Sequence, residues 1–123
     1  MDIFNFILIF KQVINSVIMI WKPITIEEIL EMIFSTEKEL NGNLLNFWDL
    51  IKIDPEKWYE EDYGQEGGGF WVVGLMGRRV IYYNDIEEGF NISEYTEYGT
   101  IDHYYCNQDE LRTAILSLYS IIT

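Results

Sequence analysis

Basic side chains are scarce in this chain: 8 Lys and Arg stand against 21 Asp and Glu, for a formal net charge of -13 and a sequence pI of 4.2. Such a surface repels phosphate backbones, which disfavours nucleic acid as a direct ligand and favours a basic partner; simple solubility is the other reason for the excess. Cysteine is limited to Cys106, so no internal disulfide is available and a reducing cytoplasm suits the chain. No cationic group precedes Cys106 nearby to activate it, and burial as a small apolar residue is the expectation.

Histidine is limited to His103. Asp102-His103 with Cys106 outlines a fragment of a metal site or a Cys-His dyad, but one His and one Cys close no zinc site without carboxylates, and the dyad has no visible orienting group. A phosphate-binding loop is also missing: Gly67-Gly68-Gly69 precede a strand instead of opening a helix, and no Lys-Ser/Thr pair follows. Asp85, Glu87 and Glu88 are close in sequence, yet an acidic chain produces such neighbours by chance and nothing fixes their separation for glycoside chemistry. The expectation is therefore no catalytic residue, no cofactor and no metal.

What the chain has is apolar mass. With 123 residues, 49% apolar and 24% charged, it reads as one domain, 1–123, able to bury roughly two thirds of its unfolded surface. Its strand chemistry is concentrated between Gly67 and Gly99. β-Branched and aromatic residues run from Phe70 to Met76 and from Val80 to Tyr83, separated by Gly77-Arg78, a Gly-X pair suited to a type II′ hairpin turn. That loop sets Leu75 opposite Val80, Gly74 opposite Ile81, Val73 opposite Tyr82, Val72 opposite Tyr83 and Trp71 opposite Asn84. Both faces are apolar, so the hairpin belongs in the centre of a sheet, with Trp71 and Val73 buried.

Around it the other elements fall into order. Ile3 to Trp21 is an apolar run in which Asn5, Lys11, Gln12, Asn15 and Ser16 share an arc of roughly 140°, opposite Phe6, Phe10, Val13 and Val17. It reads as an amphipathic helix that packs on the core, with an interfacial helix or oligomer contact and a membrane span or signal as the alternatives; Lys11 near the centre disfavours the span. Met19 is an alternative start. Pro23 ends this segment, and Thr25 with Glu28 forms a capping box for a helix over about Ile26–Glu39, stopped by Asn41-Gly42. Its apolar stripe is Ile26, Ile29, Leu30, Ile33 and Phe34. Leu44–Ile53 is ambiguous between helix and strand; the alternation of Leu50-Ile51-Lys52-Ile53 favours a strand, and Glu56–Gly69 reads as a long loop. Phe90–Tyr98 is a third strand and Ile101–Cys106 a short fourth. Asn107 caps a closing helix whose stripe is Leu111, Ala114, Ile115, Leu118 and Ile122. The sum is an α+β fold: N-terminal helices, a central antiparallel sheet of about four strands built on the 70–83 hairpin, and a C-terminal helix packed on the sheet.

Between Val80 and Leu111 there is no Lys or Arg, and acids alternate with tyrosines. Tyrosine supplies contact area at low entropy cost and acids steer a basic partner, so Tyr83, Asp85, Glu87, Glu88, Glu94, Tyr95, Glu97, Tyr98 and Asp102 are the candidate partner-binding residues. Cross-strand pairing of the tyrosines and solvation of the acids is the alternative. The run GGGFWVVGLMGRRVIYYNDIEEGFN and the later CNQDEL resemble the immunity proteins of bacterial polymorphic toxin and contact-dependent inhibition systems. The resemblance implies a non-enzymatic protein that neutralises a cognate toxin, often a nuclease, by binding it; it assigns no individual residue. Two other classes remain open: a small hydrolase or isomerase using Asp85, Glu87 or Glu88, marked by a pocket gathering carboxylates of raised pKa, and a structural subunit that homodimerises through the first helix.

Overall fold

A computed structural model describes Ile3 and residues 21–122. The expected first helix lies outside the described residues apart from its ends. Helix α1, Ile26–Glu37, starts as its sequence dictates: Thr25 Oγ1 accepts the Glu28 N–H at 3.2 Å while the Glu28 carboxylate accepts from the Thr25 backbone, a reciprocal pair that satisfies two helix-end donors. It ends two residues before the expected Glu39. Helix α2, Gly42–Ile51, replaces the strand expected from Leu44, and the Asn41-Gly42 pair opens it, separated from α1 by a short turn. Leu44, Leu45, Phe47, Trp48 and Ile51 recur at helical spacing and face the core. The alternation at residues 50–53 straddles a boundary, because strand β1, Lys52–Glu60, begins there.

The sheet has the order β4-β3-β2-β1-β5, with β2 Phe70–Met76, β3 Arg79–Asn84, β4 Gly89–Glu94 and β5 Thr100–Ile101. The 70–83 hairpin is central. All pairs are antiparallel except β1 with β5. Gly77 takes φ 59 while Arg78 stays out of the left-handed region, as a type II′ turn requires. From this turn Leu75↔Val80 and Gly74↔Ile81 pair as expected, but the register then slips: Val72 meets Tyr82 and Trp71 meets Tyr83. A bulge at Val73 is the cause, an extra residue on β2 that reverses the assignment of faces beyond it. Val73 and Trp71 thereby join Ile81 and Tyr83 on one side, and Val72 and Phe70 join Val80 and Tyr82 on the other. Val73 is buried, whereas Trp71 is only half-buried and donates Nε1–H to the Ile24 carbonyl at 3.1 Å.

One sheet face carries α1, α2 and the closing helix α3, Leu111–Ile122, around Ile29, Trp48, Ile115 and Leu118. Leu30 and Phe34 of the expected α1 stripe are exposed, as is Ile122 of α3, so the buried face of each helix is narrower than its apolar face. The other sheet face is covered differently. The expected strand Ile101–Cys106 is a strand only at Ile101; residues 102–109 form an irregular strap held by side chains that alternate along β3 and β4. Tyr105 N–H donates to Tyr82 Oη at 2.8 Å, and Asn84 Nδ2 donates to the Tyr105 carbonyl at 3.0 Å. His103 N–H donates to Ser93 Oγ at 3.0 Å. Asn91 accepts the Asn107 N–H at 2.9 Å and donates to its carbonyl at 3.1 Å, imitating a strand partner with one amide group. Asn107 thus serves the strap; the helix begins only at Leu111, with Glu110 O accepting the Ala114 N–H. Gly89 lets the strap cross: a Cβ there would lie 2.1 Å from Asn107 O. Asn84, Asn91 and Ser93 are buried, and among the described residues no buried side-chain N or O atom lacks a partner.

Candidate functional site

The segment expected as a loop from Glu56 to Gly69 is strand as far as Glu60, and this positions the aromatic face of the sheet. Within β1, Trp58 and Glu60 point inward while Lys57 and Tyr59 stay exposed. Glu60 is buried because the following turn supplies donors: its carboxylate accepts N–H bonds from Asp62 at 2.7 Å, Tyr63 at 2.8 Å and Gly64 at 2.8 Å. A carboxylate held by successive backbone donors needs no cation to be buried. Pro55, which has no N–H, lies within the irregular pairing of β1 with β2.

Trp58, Phe70 and Tyr82 form the floor on the side away from the helices. Tyr98 stands on Trp58 with ring centroids 4.7 Å apart and donates its hydroxyl to Glu56 Oε1 at 2.6 Å, yet remains 64% exposed. That hydrogen bond to a carboxylate holds the Tyr98 hydroxyl above its ordinary pKa. Tyr104 lies 6.1 Å from Phe70 and 4.7 Å from Tyr63, whose ring is also exposed. Tyr105, on the strap, is exposed beside His103. Glu97, Asp102, Glu61 and Asp62 are exposed in the same segments.

The expected binding residues divide between two regions. Tyr95, Glu97, Tyr98 and Asp102 belong to the aromatic face, with Glu94 exposed at the end of β4. Tyr95 is partly committed to structure, since its hydroxyl donates to the Gly77 carbonyl at 2.6 Å and its N–H to the Arg78 carbonyl at 2.9 Å, closing the hairpin tip. Asp102 accepts from Thr96 Oγ1 at 3.0 Å. Glu87 lies in the β3–β4 turn, where Asn84 Oδ1 accepts the N–H groups of Ile86 and Glu87 at 3.0 and 3.2 Å. Its charge contributes to the raised pKa of Tyr104, for which burial is the larger cause.

Tyr83, Asp85 and Glu88 are on the helix side. Tyr83 is 8% exposed, packs on Phe90 at 4.8 Å and has its pKa raised, first by burial and then by Glu88. Asp85 Oδ2 accepts the Ile24 N–H at 2.9 Å and ties the lead-in of α1 to the sheet. Burial raises its carboxyl pKa against the lowering effect of that bond and of Lys57. Glu88 is exposed and held at φ 57, a left-handed conformation uncommon outside glycine and asparagine. These residues line a cleft of about 660 Å³ between the lead-in, α1 and the β3–β4 turn, where Trp21, Glu28 and Met32 complete the wall. A second cleft of about 330 Å³ shares Met32, Tyr83 and Glu88 and continues to Glu39, Glu110 and Arg112.

Glu56, Trp58 and Tyr63 fall in the segment that reads as a loop, whereas Tyr104 and Tyr105 belong to the tyrosines interleaved with acids between Val80 and Leu111. The inward alternation of Trp58 and Glu60 was the available signal. Cys106, expected to be buried, is exposed, because the strap bonds the sheet through its backbone and leaves the consecutive side chains of Tyr105, Cys106, Asn107 and Gln108 in solvent. Among the described residues no group of three or more His, Cys, Asp or Glu is placed to hold a metal ion, and no helix is long and apolar enough to cross a membrane. No protein-family model, curated protein or solved structure matches the chain.

Proposed function

We propose that this chain is a cytoplasmic immunity protein, without enzymatic activity of its own, that binds and neutralises a basic protein toxin, with a nuclease domain as the favoured class. The observation carrying this reading is Tyr98. A large ring that is exposed, yet fixed by Trp58 beneath it and by Glu56 at its hydroxyl, loses little rotamer freedom when a partner covers it. Exposed Tyr63 and Tyr105 extend the contact area, and Glu97, Asp102, Glu61 and Asp62 supply negative charge around it. Aromatic anchors within an acidic rim suit a basic partner held mainly by the rings and steered by the rim. The neighbouring gene's product is the partner to test. Expressed alone it should arrest growth, and co-expression of this chain should restore growth while Tyr98→Ala with Glu97→Lys should not. Arrest that persists with the unaltered chain, and no complex on gel filtration, would overturn the reading.

One observation favours the hydrolase or isomerase class: Asp85, with its raised pKa, and Glu88 line the larger cleft. Asp85 Oδ2 is, however, engaged by the Ile24 N–H, and burial accounts for the shift without a reaction. Binding remains the reading better supported by the exposed groups.

A further inference from the structure

The two helix-side clefts form one groove, because Met32, Tyr83 and Glu88 belong to both. Its floor is apolar and set by the core: Tyr83, Phe90 and Leu111 are all buried members of it. Its walls are acidic. Glu28, Asp85 and Glu88 face the wider part, with Lys22 as the cation there; Glu39, Asp109 and Glu110 join Glu88 around the narrower part, with Arg112 as the cation. A floor of rings and a Met side chain under carboxylates matches the stem and head of a long basic side chain: the methylenes lie on apolar surface, and the cation meets carboxylates and aromatic faces. A small rigid ligand would use one cleft; the continuity through Met32, Tyr83 and Glu88 suits an extended chain instead.

We infer that this groove seats an extended Lys/Arg-rich segment of the protein partner, with one cationic side chain held beside Trp21, Tyr83 and Glu88. The site is separate from the Tyr98 face, which lies across the sheet. The inference deepens the binding reading and rests on it for its biological partner, but the groove itself is measured without a toxin.

The probe is a hexaarginine peptide, titrated by calorimetry and followed by the Trp21 indole N–H resonance, with spermidine as a small cation for comparison. Glu88→Lys and Glu97→Lys change the net charge equally on opposite sides of the sheet. The peptide should shift the Trp21 resonance, Glu88→Lys should weaken it about tenfold, and Glu97→Lys by less than about threefold. Glu88→Gly guards against a folding artefact, because glycine suits φ 57 better than glutamate does; it should bind the peptide more weakly while unfolding no more readily. Equal weakening by the two reversals would mean diffuse charge attraction and overturn the inference. Spermidine binding as tight as the peptide, or peptide binding that leaves Trp21 unmoved, would do the same. Each of those results leaves neutralisation through Tyr98 to stand or fall on the growth assay.

Discussion

Replacing Tyr82 by Phe isolates the hydrogen bond that fastens the strap. The ring is fully buried and stacks on Phe70 at 5.6 Å, so phenylalanine keeps the packing and removes one oxygen. That oxygen accepts the Tyr105 N–H at 2.8 Å and donates to the His103 carbonyl at 3.2 Å. Burial holds its pKa well above the ordinary tyrosine value, so it remains a neutral donor throughout ordinary working pH. Losing it orphans a backbone donor beneath the strap, which costs about 1–2 kcal/mol net of the removed hydroxyl's own desolvation. For a urea slope of about 1.5 kcal/mol per M, the midpoint should fall by about 1 M. The loss should also be local. Asn84, Asn91 and Ser93 still anchor the strap on either side, so the Tyr105 amide, which loses its acceptor, should exchange faster by clearly more than the global shift of about tenfold, to which the Val72 and Ile81 amides should be confined. Unchanged Tyr105 exchange with an unchanged midpoint would refute the view that side chains of β3 and β4 substitute for a strand ladder here.

Other substitutions test separate parts of the same framework. Glu60→Gln replaces an acceptor-only group facing three N–H donors by one that carries its own donors, and should destabilise by about 2 kcal/mol, read as a lower urea midpoint. Gly89→Ala puts a methyl against backbone, 2.1 Å from Asn107 O and 2.3 Å from the Gln108 Cα, and should cost about 2–3 kcal/mol on thermal unfolding. Asp85→Asn tests the raised carboxyl pKa. A folded-state pKa above the ordinary aspartate value means that Asp85 supports the fold when protonated and that this support, full below the ordinary value, is lost as pH rises through the folded one. The asparagine variant should therefore gain on the parent between pH 3 and pH 7 in urea titrations; a gap that does not widen with pH would contradict the assignment.

The legible parts of the fold were those in which local signal and tertiary environment agree. Thr25 with Glu28 specifies a helix start by its own chemistry, and Gly77-Arg78 specifies a turn whose flanks are apolar on both faces. β1 was hidden because Lys52–Glu60 carries charges and Pro55 where a strand usually carries β-branched residues; the strand is held by its neighbours and by the nest that buries Glu60. The Val73 bulge was equally invisible, since alternation of apolar residues reads the same whichever face they take. Composition did indicate an acidic, tyrosine-rich half. It did not divide the half into a groove and a face, because that division depends on the bulge and on the path of the strap.

Strand propensity and interface propensity enrich the same residue, so tyrosine content alone does not separate anchors from core; the partners of each ring do. Tyr82 and Tyr83 are buried and Tyr95 closes a turn, whereas Tyr98 is fixed by Trp58 and Glu56 and still exposes most of its surface. Under the proposed binding function, Tyr98→Ala should raise the off-rate of the partner complex, with a loss of about 2 kcal/mol or more if the ring is a hot spot. Tyr98→Phe keeps the ring on Trp58 and releases only the Glu56 tether, so its off-rate should rise far less. Glu97→Lys and Glu94→Lys should instead slow association and flatten its salt dependence, because exposed charges act over about 8–10 Å and leave the seated contact alone. Surface-binding kinetics against the neighbouring gene's product separate the two classes. Tyr98→Phe releasing the partner as fast as Tyr98→Ala would show that the hydroxyl tether, and not the ring's area, is what the complex depends on.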